Sequence, residues 1–405
     1  MSGEDGLIAI TIDGEKVLVK PGTNVIDAAC SAGIEIPHYC YHRDLSVAGN
    51  CRMCQIEIEG RPRLEIGCNT IVQDGMAIRT HRTSEKVRKA QASVLEFILI
   101  NHPLDCTVCD QSGHCKLQDY HYTYNARHSR FFERKEHKVK AVELGPNVML
   151  DGERCILCTR CIRFCDEITK TSELGAVNRG DKTVITTFEG KRLDNPLSGT
   201  VVDLCPVGAL THKKWRFNSR IWYTSEADAV CPGCSTGCTT KVFERDNKVV
   251  LVKARYNEKV NREWLCDAGR YGLEELVPEE RVCGVFHAGE NADLANISSL
   301  LKENSDRSAV VVISSRLYLE EFRVIKEFFN RFWRGSVTFA VSFRERYLTE
   351  TEKILISPDY DPNWKGAVIE GVAKEDVKSS YREALNGIRK RSFESLFFIG
   401  DDAIW

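Results

Sequence analysis

RCILCTRCIRFC, Arg154–Cys165, decides how this chain is read. Its cysteines, Cys155, Cys158, Cys161 and Cys165, stand at offsets of three, three and four, and Cys205-Pro206 follows far downstream. Thiols at this spacing converge from one tight loop, which is how a four-iron cubane is held. A second run of the same kind ending at Cys205 would need cysteines at 195, 198 and 201. Those positions are Asn195, Ser198 and Val201. One ligand set is therefore missing. Cys205 is expected to complete the set Cys155, Cys158 and Cys161, and Cys165 is expected to be a buried small hydrophobe without a metal.

The run is that of bacterial ferredoxins, in a two-cluster shape that keeps one cluster. Lys182–Leu193, KTVITTFEGKRL, reads as a strand-rich insertion within it. Three more groups flank the run. Upstream, Cys106, Cys109 and Cys115 follow a helical pattern over residues 84–101, with Ser84 as its N-cap and Pro103 as its stop. Its apolar stripe is Val87, Ala90, Val94, Phe97 and Ile98. Three thiols leave one iron of a cubane without a ligand. The nearby candidates are His102, Asp105, Asp110 and His114, and ligand count with the precedent of imidazole ligation favours His102. Residues 120–140 have no clear period and read as a link between cluster domains.

Further upstream, LIAITIDGEKVLVK (residues 7–20) is two alternating apolar runs about Asp13-Gly14, a hairpin signal. A short helix follows, capped by Thr23 or Asn24 and ended by Gly33. It carries Cys30 on its expected core side. Then come Cys40, Cys51, Cys54 and Cys68, a long-loop variant of plant-type ferredoxin spacing. Downstream, Cys231, Cys234, Cys238 and Cys266 form the fourth group, with a hairpin expected at Asp246-Asn247 between them. Beyond residue 279 only Cys283 remains. There SAVVVISS, SVTFAV and LFFIGDD read as strands, and LYLEEFRVIKEFFNRFW as an amphipathic helix. A small α/β sheet is expected.

Of 18 cysteines in 405 residues, 15 thus fall into ligand groups. Isolated Cys-x-x-Cys pairs also suit structural zinc, but the Cys155–Cys165 spacing is not a zinc-ribbon spacing. The formal charge of −2 supplies no basic surface for nucleic acid. The start MSGEDG has no apolar core of a signal peptide. No apolar run reaches membrane-span length. A reducing cytoplasm is expected, where clustered cysteines mean metal rather than disulfides. No G-x-G-x-x-G after a strand and no phosphate loop argues for a flavin or nicotinamide site. Four clusters in one chain make sense as a conductor of single electrons.

The four groups, in this order, resemble the large iron–sulfur subunit (75 kDa or G type) of the peripheral arm of respiratory complex I, the NADH:quinone oxidoreductase. The matching text is HYCYHRDLSVAGNCRMC, NHPLDCTVCDQSGHCKLQD, RCILCTRCIRFCDE, VVDLCPVGALT and CPGCSTGC…WLCDAGR, over roughly residues 5–275. The resemblance implies an α+β multidomain chain. Residues 5–83 would be a β-grasp [2Fe–2S] ferredoxin domain holding its cluster on Cys40, Cys51, Cys54 and Cys68. Residues 84–123 would be a helical segment with a [4Fe–4S] cluster on His102, Cys106, Cys109 and Cys115. Residues 145–220 would be a bacterial-ferredoxin-like domain with a [4Fe–4S] cluster on Cys155, Cys158, Cys161 and Cys205. Residues 222–278 would be a molybdopterin-oxidoreductase-type domain with a [4Fe–4S] cluster on Cys231, Cys234, Cys238 and Cys266. Residues 279–405, with DYDPNWKGAVIEGV, would be a shortened α/β remnant binding neither molybdopterin nor flavin. The implied partners are a flavin- and NADH-binding subunit and other peripheral-arm subunits, with the membrane reached only through partners on the cytoplasmic side of a bacterial inner membrane. The alternative is the diaphorase part of a soluble NAD-linked hydrogenase or formate dehydrogenase.

Overall fold

Ile8–Ile12 and Glu15–Val19 pair antiparallel about a turn at Asp13 and Gly14, whose φ angles are 53° and 90°. Two consecutive left-handed residues match the twist of the flanking strands. In this computed structural model residues 6–125, 127–272, 284–288, 290–345, 347–359 and 361–400 are described. Cys283 and the expected boundary at 279 lie outside the described residues. The Asp13 carboxylate accepts from the Thr80 amide at 2.7 Å and the Thr80 hydroxyl at 2.6 Å, which fixes the turn to the end of strand Ala77–Arg79. The five-stranded mixed sheet runs 15–19, 8–12, 77–79, 55–58, 65–66. Asn24, not Thr23, caps the helix Val25–Ser31, its Oδ1 accepting from the Asp27 amide at 3.0 Å. Val25, Ile26, Ala28 and Ala29 pack on Ile10, Ile12, Ile56 and Ile78, and Cys54 and Cys68 belong to the same core. With 25, 26, 28 and 29 turned inward, position 30 turns outward. Cys30 is exposed, against expectation.

Ser84 caps the helix Glu85–Leu99, accepting from the Val87 amide at 3.2 Å. The buried face is Val87, Gln91, Ala92 and Leu95, while Phe97 is 73% exposed. The stripe read from apolar residues is displaced because Gln91 takes a core position, its Nε2 donating to the Gln55 carbonyl at 3.2 Å. Lys135 closes the helix end on the Leu99 and Ile100 carbonyls at 2.8 and 2.6 Å. Residues 116–124 form a helix, so among the described residues of the expected link only Asn125 and 127–140 lack regular structure. Ion pairs hold that stretch: Arg130 to Glu96, and Lys140 to Asp105 and Glu153.

Val148–Leu150 lies between Leu210–His212 and Val142–Glu143 in a second, antiparallel sheet. Val184–Thr187 pairs with Leu174–Val177. The insertion 182–193 thus gives one strand, and its partner precedes it. Asn195, Ser198 and Val201 are all buried, and the Asn195 side-chain amide donates to Glu173 at 2.5 Å. Packed side chains occupy the positions where a second cluster's cysteines would stand.

By contact density the chain forms two units, Met1–Glu226 with Phe243–Leu251 and Ala227–Val242 with Val252–Trp405. The division crosses the hairpin Thr239–Arg245 and Lys248–Ala254, which turns at Asp246 and Asn247 as expected. In the second unit Ala309–Ile313 is the centre of a parallel sheet between Val337–Val341 and Ser395–Ile399. Val311 and Ile313 pack toward Phe322 and Phe329 of the helix Leu319–Phe332. Val310 and Val312 pack toward Tyr381 and Ala384 of the helix Val377–Arg389. Alternate residues therefore face opposite helical layers. No helix among the described residues is long and apolar enough to cross a membrane.

Candidate metal centres

The first group is a set of two thiol pairs. Cys40 is coupled to Cys51, and Cys54 to Cys68. The neighbouring Cys51 sulfur pulls Cys40 below the usual thiol range, and Cys40 with burial pushes Cys51 above it. Cys68 is pulled down by Cys54 in the same way, and Cys54 is pushed up. Arg52, between the inner two cysteines, has φ 57°. A non-glycine residue in that region is held there by its surroundings, a feature that gathers at functional sites.

Cys155, Cys158, Cys161 and Cys205 line one small apolar pocket. Leu157 and Thr159 have φ of 54° and 61°, and the Leu157 amide donates to Cys155 Sγ at 3.4 Å. Left-handed residues in this loop turn successive amides toward the sulfurs, a concavity suited to an anion. Burial pushes Cys155, Cys158 and Cys205 each up to about 11, and Cys161 well up. Thiols this buried ionise only against positive charge, which a metal supplies. Cys165 is fully buried and is not part of the cavity lining.

In the second group Cys106 is exposed, Cys109 is buried, and Cys115 sits at the N-terminus of the helix Lys116–Tyr124. Burial raises Cys109, and Cys115 to about 11. Among the four candidate fourth ligands, Asp105 is engaged by Lys140 at 2.5 Å and Arg154 at 3.0 Å. Asp110 accepts from the Phe217 amide at 3.0 Å. Two imidazoles remain, His102 and His114. Burial holds the His102 imidazole neutral, with a pKa lowered to about 4, and its Nδ1 is buried without a hydrogen-bond partner among the described residues. A neutral imidazole with an orphaned nitrogen fits a metal ligand.

These three groups touch one another. A Cβ on Gly208 would lie 2.2 Å from Cys109 Sγ, so the Cys205–Gly208 loop meets the second group at a distance only glycine allows. Arg163 Nη2 donates to the carbonyls of Cys40 at 2.5 Å and Cys158 at 3.3 Å. Tyr39, fully buried and next to Cys40 in the chain, packs on Tyr120 of the helix that Cys115 begins, ring centroids 5.3 Å apart. Sequence reasoning missed Arg163, Gly208 and Tyr39; all three lie inside or beside the quoted motifs, and adjacency was their only signal.

Cys231, Cys234, Cys238 and Cys266 line a second small apolar pocket, in the second unit. The Gly269 amide donates to Cys266 Sγ at 3.3 Å, and a Cβ there would lie 2.8 Å from Cys231 Sγ. Asn261 braces the site, accepting from the Thr239 amide at 3.0 Å and donating to the Trp264 carbonyl at 3.0 Å. Burial raises Cys231 and Cys238, and Cys266 to about 12. Among the described residues no three Cys, His, Asp or Glu side chains close on a single-ion site.

Four family models match. Residues 6–83 match a 2Fe-2S iron-sulfur cluster binding domain. Residues 91–130 match the NADH-ubiquinone oxidoreductase-G iron-sulfur binding region. Residues 145–211 match the ferredoxin-like domain of NADH-quinone oxidoreductase subunit 3. Residues 224–277 match the molybdopterin oxidoreductase Fe4S4 domain. The G-type subunit of NADH-quinone oxidoreductase from Rickettsia bellii is 41% identical over 270 residues, 67% of this chain and 39% of that protein. The NADH-ubiquinone oxidoreductase 75 kDa subunit of Reclinomonas americana is 36% identical over 372 residues, 88% of this chain and 53% of that protein. The chain belongs to the G-type, or 75 kDa, subunit family of NADH-quinone oxidoreductase. It spans between about a third and about half of the length of these curated relatives. A chain from the crystal structure of an NAD+-reducing [NiFe]-hydrogenase in the H2-reduced state also aligns, at 31% identity over 53% of this chain and 91% of that one, with a TM-score of 0.47. The matched domains include both two-iron and four-iron types, so this 75 kDa-type chain carries cluster-binding domains of both kinds.

Proposed function

We propose that this 75 kDa-type chain is an electron-transfer subunit of an NADH:quinone oxidoreductase, receiving single electrons from a flavin- and NADH-binding subunit and passing them toward quinone. The five segments 5–83, 84–123, 145–220, 222–278 and 279–405 are its domains. Cys40, Cys51, Cys54 and Cys68 would hold a [2Fe–2S] cluster. The sets His102/Cys106/Cys109/Cys115, Cys155/Cys158/Cys161/Cys205 and Cys231/Cys234/Cys238/Cys266 would each hold a [4Fe–4S] cluster. Bound there, such clusters supply reversible one-electron redox chemistry. The protein reaches the membrane through partner subunits, on its cytoplasmic side.

One observation carries the reading. The loops bearing the first three groups meet within one unit, through Arg163 at Cys40 and Cys158 and through Gly208 at Cys109. Independent structural metal sites have no need of mutual contact; a conductor does. The buried thiols keep water from the sulfurs, the left-handed loops direct amides at them, and His102 offers a neutral nitrogen where a thiolate would add charge.

Iron and acid-labile sulfide measured on anaerobically purified chain test the ligand sets. About fourteen irons are expected, from one two-iron and three four-iron clusters. About eight or ten irons without cluster loss, or a colourless protein holding zinc, would overturn the assignment. Proteins that co-purify from membranes test the partner: a nickel or molybdenum subunit in place of membrane-embedded subunits would refute the quinone role.

A further inference from the structure

Two arginines of the Cys155–Cys165 loop have no carboxylate partner among the described residues. Arg160 is 7% exposed and lines the cavity of Cys155, Cys158, Cys161 and Cys205. Its Nη1 donates to the Leu204 carbonyl at 3.3 Å and its Nη2 to the Tyr41 carbonyl. Its Nε is buried without a hydrogen-bond partner. Arg163 donates through Nε to Thr159 Oγ1 at 3.3 Å, through Nη1 to the Ser46 carbonyl, and through Nη2 to the Cys40 and Cys158 carbonyls. Glu167, one turn on, accepts from the Ser46 amide at 2.7 Å and from the Ser46 hydroxyl. It binds the same loop as Arg163.

A buried guanidinium without a counter-charge is strongly destabilising. This fold nevertheless keeps Arg160 inside, beside a second arginine that opposes it. The groups whose charge Arg160 would meet once they ligate a metal as thiolates are Cys158, Cys40 and Cys205. They come from two ligand groups, and Leu204 and Tyr41, which Arg160 bonds, are the chain neighbours of Cys205 and Cys40. The compensating negative charge is therefore the thiolate-ligated centres themselves, on both sides of the pair.

We propose that Arg160 and Arg163 are positioning residues shared by the Cys40–Cys68 and Cys155–Cys205 centres, tying the two loops together and raising the reduction potential of both. The proposal rests on the iron–sulfur reading above. Each centre becomes one charge more negative on reduction, so a fixed positive charge nearby, in a low-dielectric setting, favours the reduced state. Arginine suits the place because its planar fork reaches two carbonyls at once and never loses its charge.

The experiment is a potentiometric titration of the anaerobically purified holo chain, followed by electron paramagnetic resonance, with iron content measured on the same samples. In Arg160→Gln the reduction equilibrium of both centres is expected to shift about tenfold toward the oxidised state, about 59 mV for a one-electron couple. The His102-group signal should stay in place, and Arg160→Lys should keep most of the wild-type potential. Arg163→Gln, on the less buried partner, should move the same two signals and decides the matter where Arg160→Gln fails to assemble. Unmoved potentials, equal shifts in every centre, or a Lys variant that falls as far as the Gln variant would each overturn the proposal. Wild-type chain without reducible signals would strike the iron–sulfur reading itself, whereas intact signals with unmoved potentials would strike only this inference.

Discussion

The first three cysteine groups and the fourth are built differently. The first three share one unit, and their loops meet through Arg163, Gly208 and the Tyr39–Tyr120 ring contact. The fourth has its own seat in the second unit. Ser235, between Cys234 and Cys238, donates through its amide and its hydroxyl to the Asp359 carbonyl, each at 3.0 Å, and Thr236 Oγ1 donates to the Leu355 carbonyl at 2.8 Å. Leu355 and Ile356 close the fourth cavity. Two centres each built from four cysteines can therefore answer to different surroundings: one to neighbouring centres, the other to the α/β tail. Geometry at the sulfurs alone does not reveal which.

The largest effects should come from the two close-approach glycines, and they should separate the regions cleanly. Gly208→Ala puts a methyl 2.2 Å from Cys109 Sγ. It is expected to cost about 3 kcal/mol, the upper end for forced overpacking, and to erase the four-iron signal of the second group while the fourth survives. Gly269→Ala, at 2.8 Å from Cys231 Sγ, should do the reverse. Loss of both signals in either variant would dissolve the distinction.

Next in size is the contrast within the run itself. Cys205→Ala should abolish one four-iron signal, because its thiol lines the cavity. Cys165→Ala should keep every signal and lower thermal stability by about 1 kcal/mol, the cost of a small cavity in a packed core. The opposite outcome in paramagnetic resonance would exchange their roles.

His102 offers a smaller and more graded effect. His102→Cys adds a negative charge beside the second centre and should lower its potential with the iron count unchanged. His102→Ala should leave that centre labile or with three irons. An unchanged potential and count in both variants would point to another ligand, His114 first. Smallest of all should be Ser235→Ala. It removes one of the two bonds to the Asp359 carbonyl and should cost about 1 kcal/mol, seen as earlier thermal loss of the fourth signal alone.

Much of this was legible in the sequence, because ligand spacing is local. The hairpin at Asp13-Gly14, the Ser84 cap and the central strand Ala309–Ile313 all follow from short-range chemistry. The buried face of the helix Glu85–Leu99 did not, because Gln91 is buried through a bond to Gln55, far away in sequence. Cys30 misled for a related reason: in a helix of seven residues the apolar stripe is broad, and a one-position error in phase moves a side chain from core to solvent. Arg160 and Arg163 stood in plain view inside the quoted run. Their contacts to Tyr41 and Cys40 span more than a hundred residues, and no local pattern announces them.

The outward turn of Cys30 has a practical consequence. Among the described cysteines only Cys30 and Cys106 are exposed, and Cys106 belongs to a ligand group. A maleimide or spin label offered to the loaded chain should therefore attach first at Cys30, on a helix whose opposite face is locked into the sheet. That residue is a ready anchor for a distance ruler. A label there, read against each paramagnetic centre in turn, would map their separations without a single engineered cysteine.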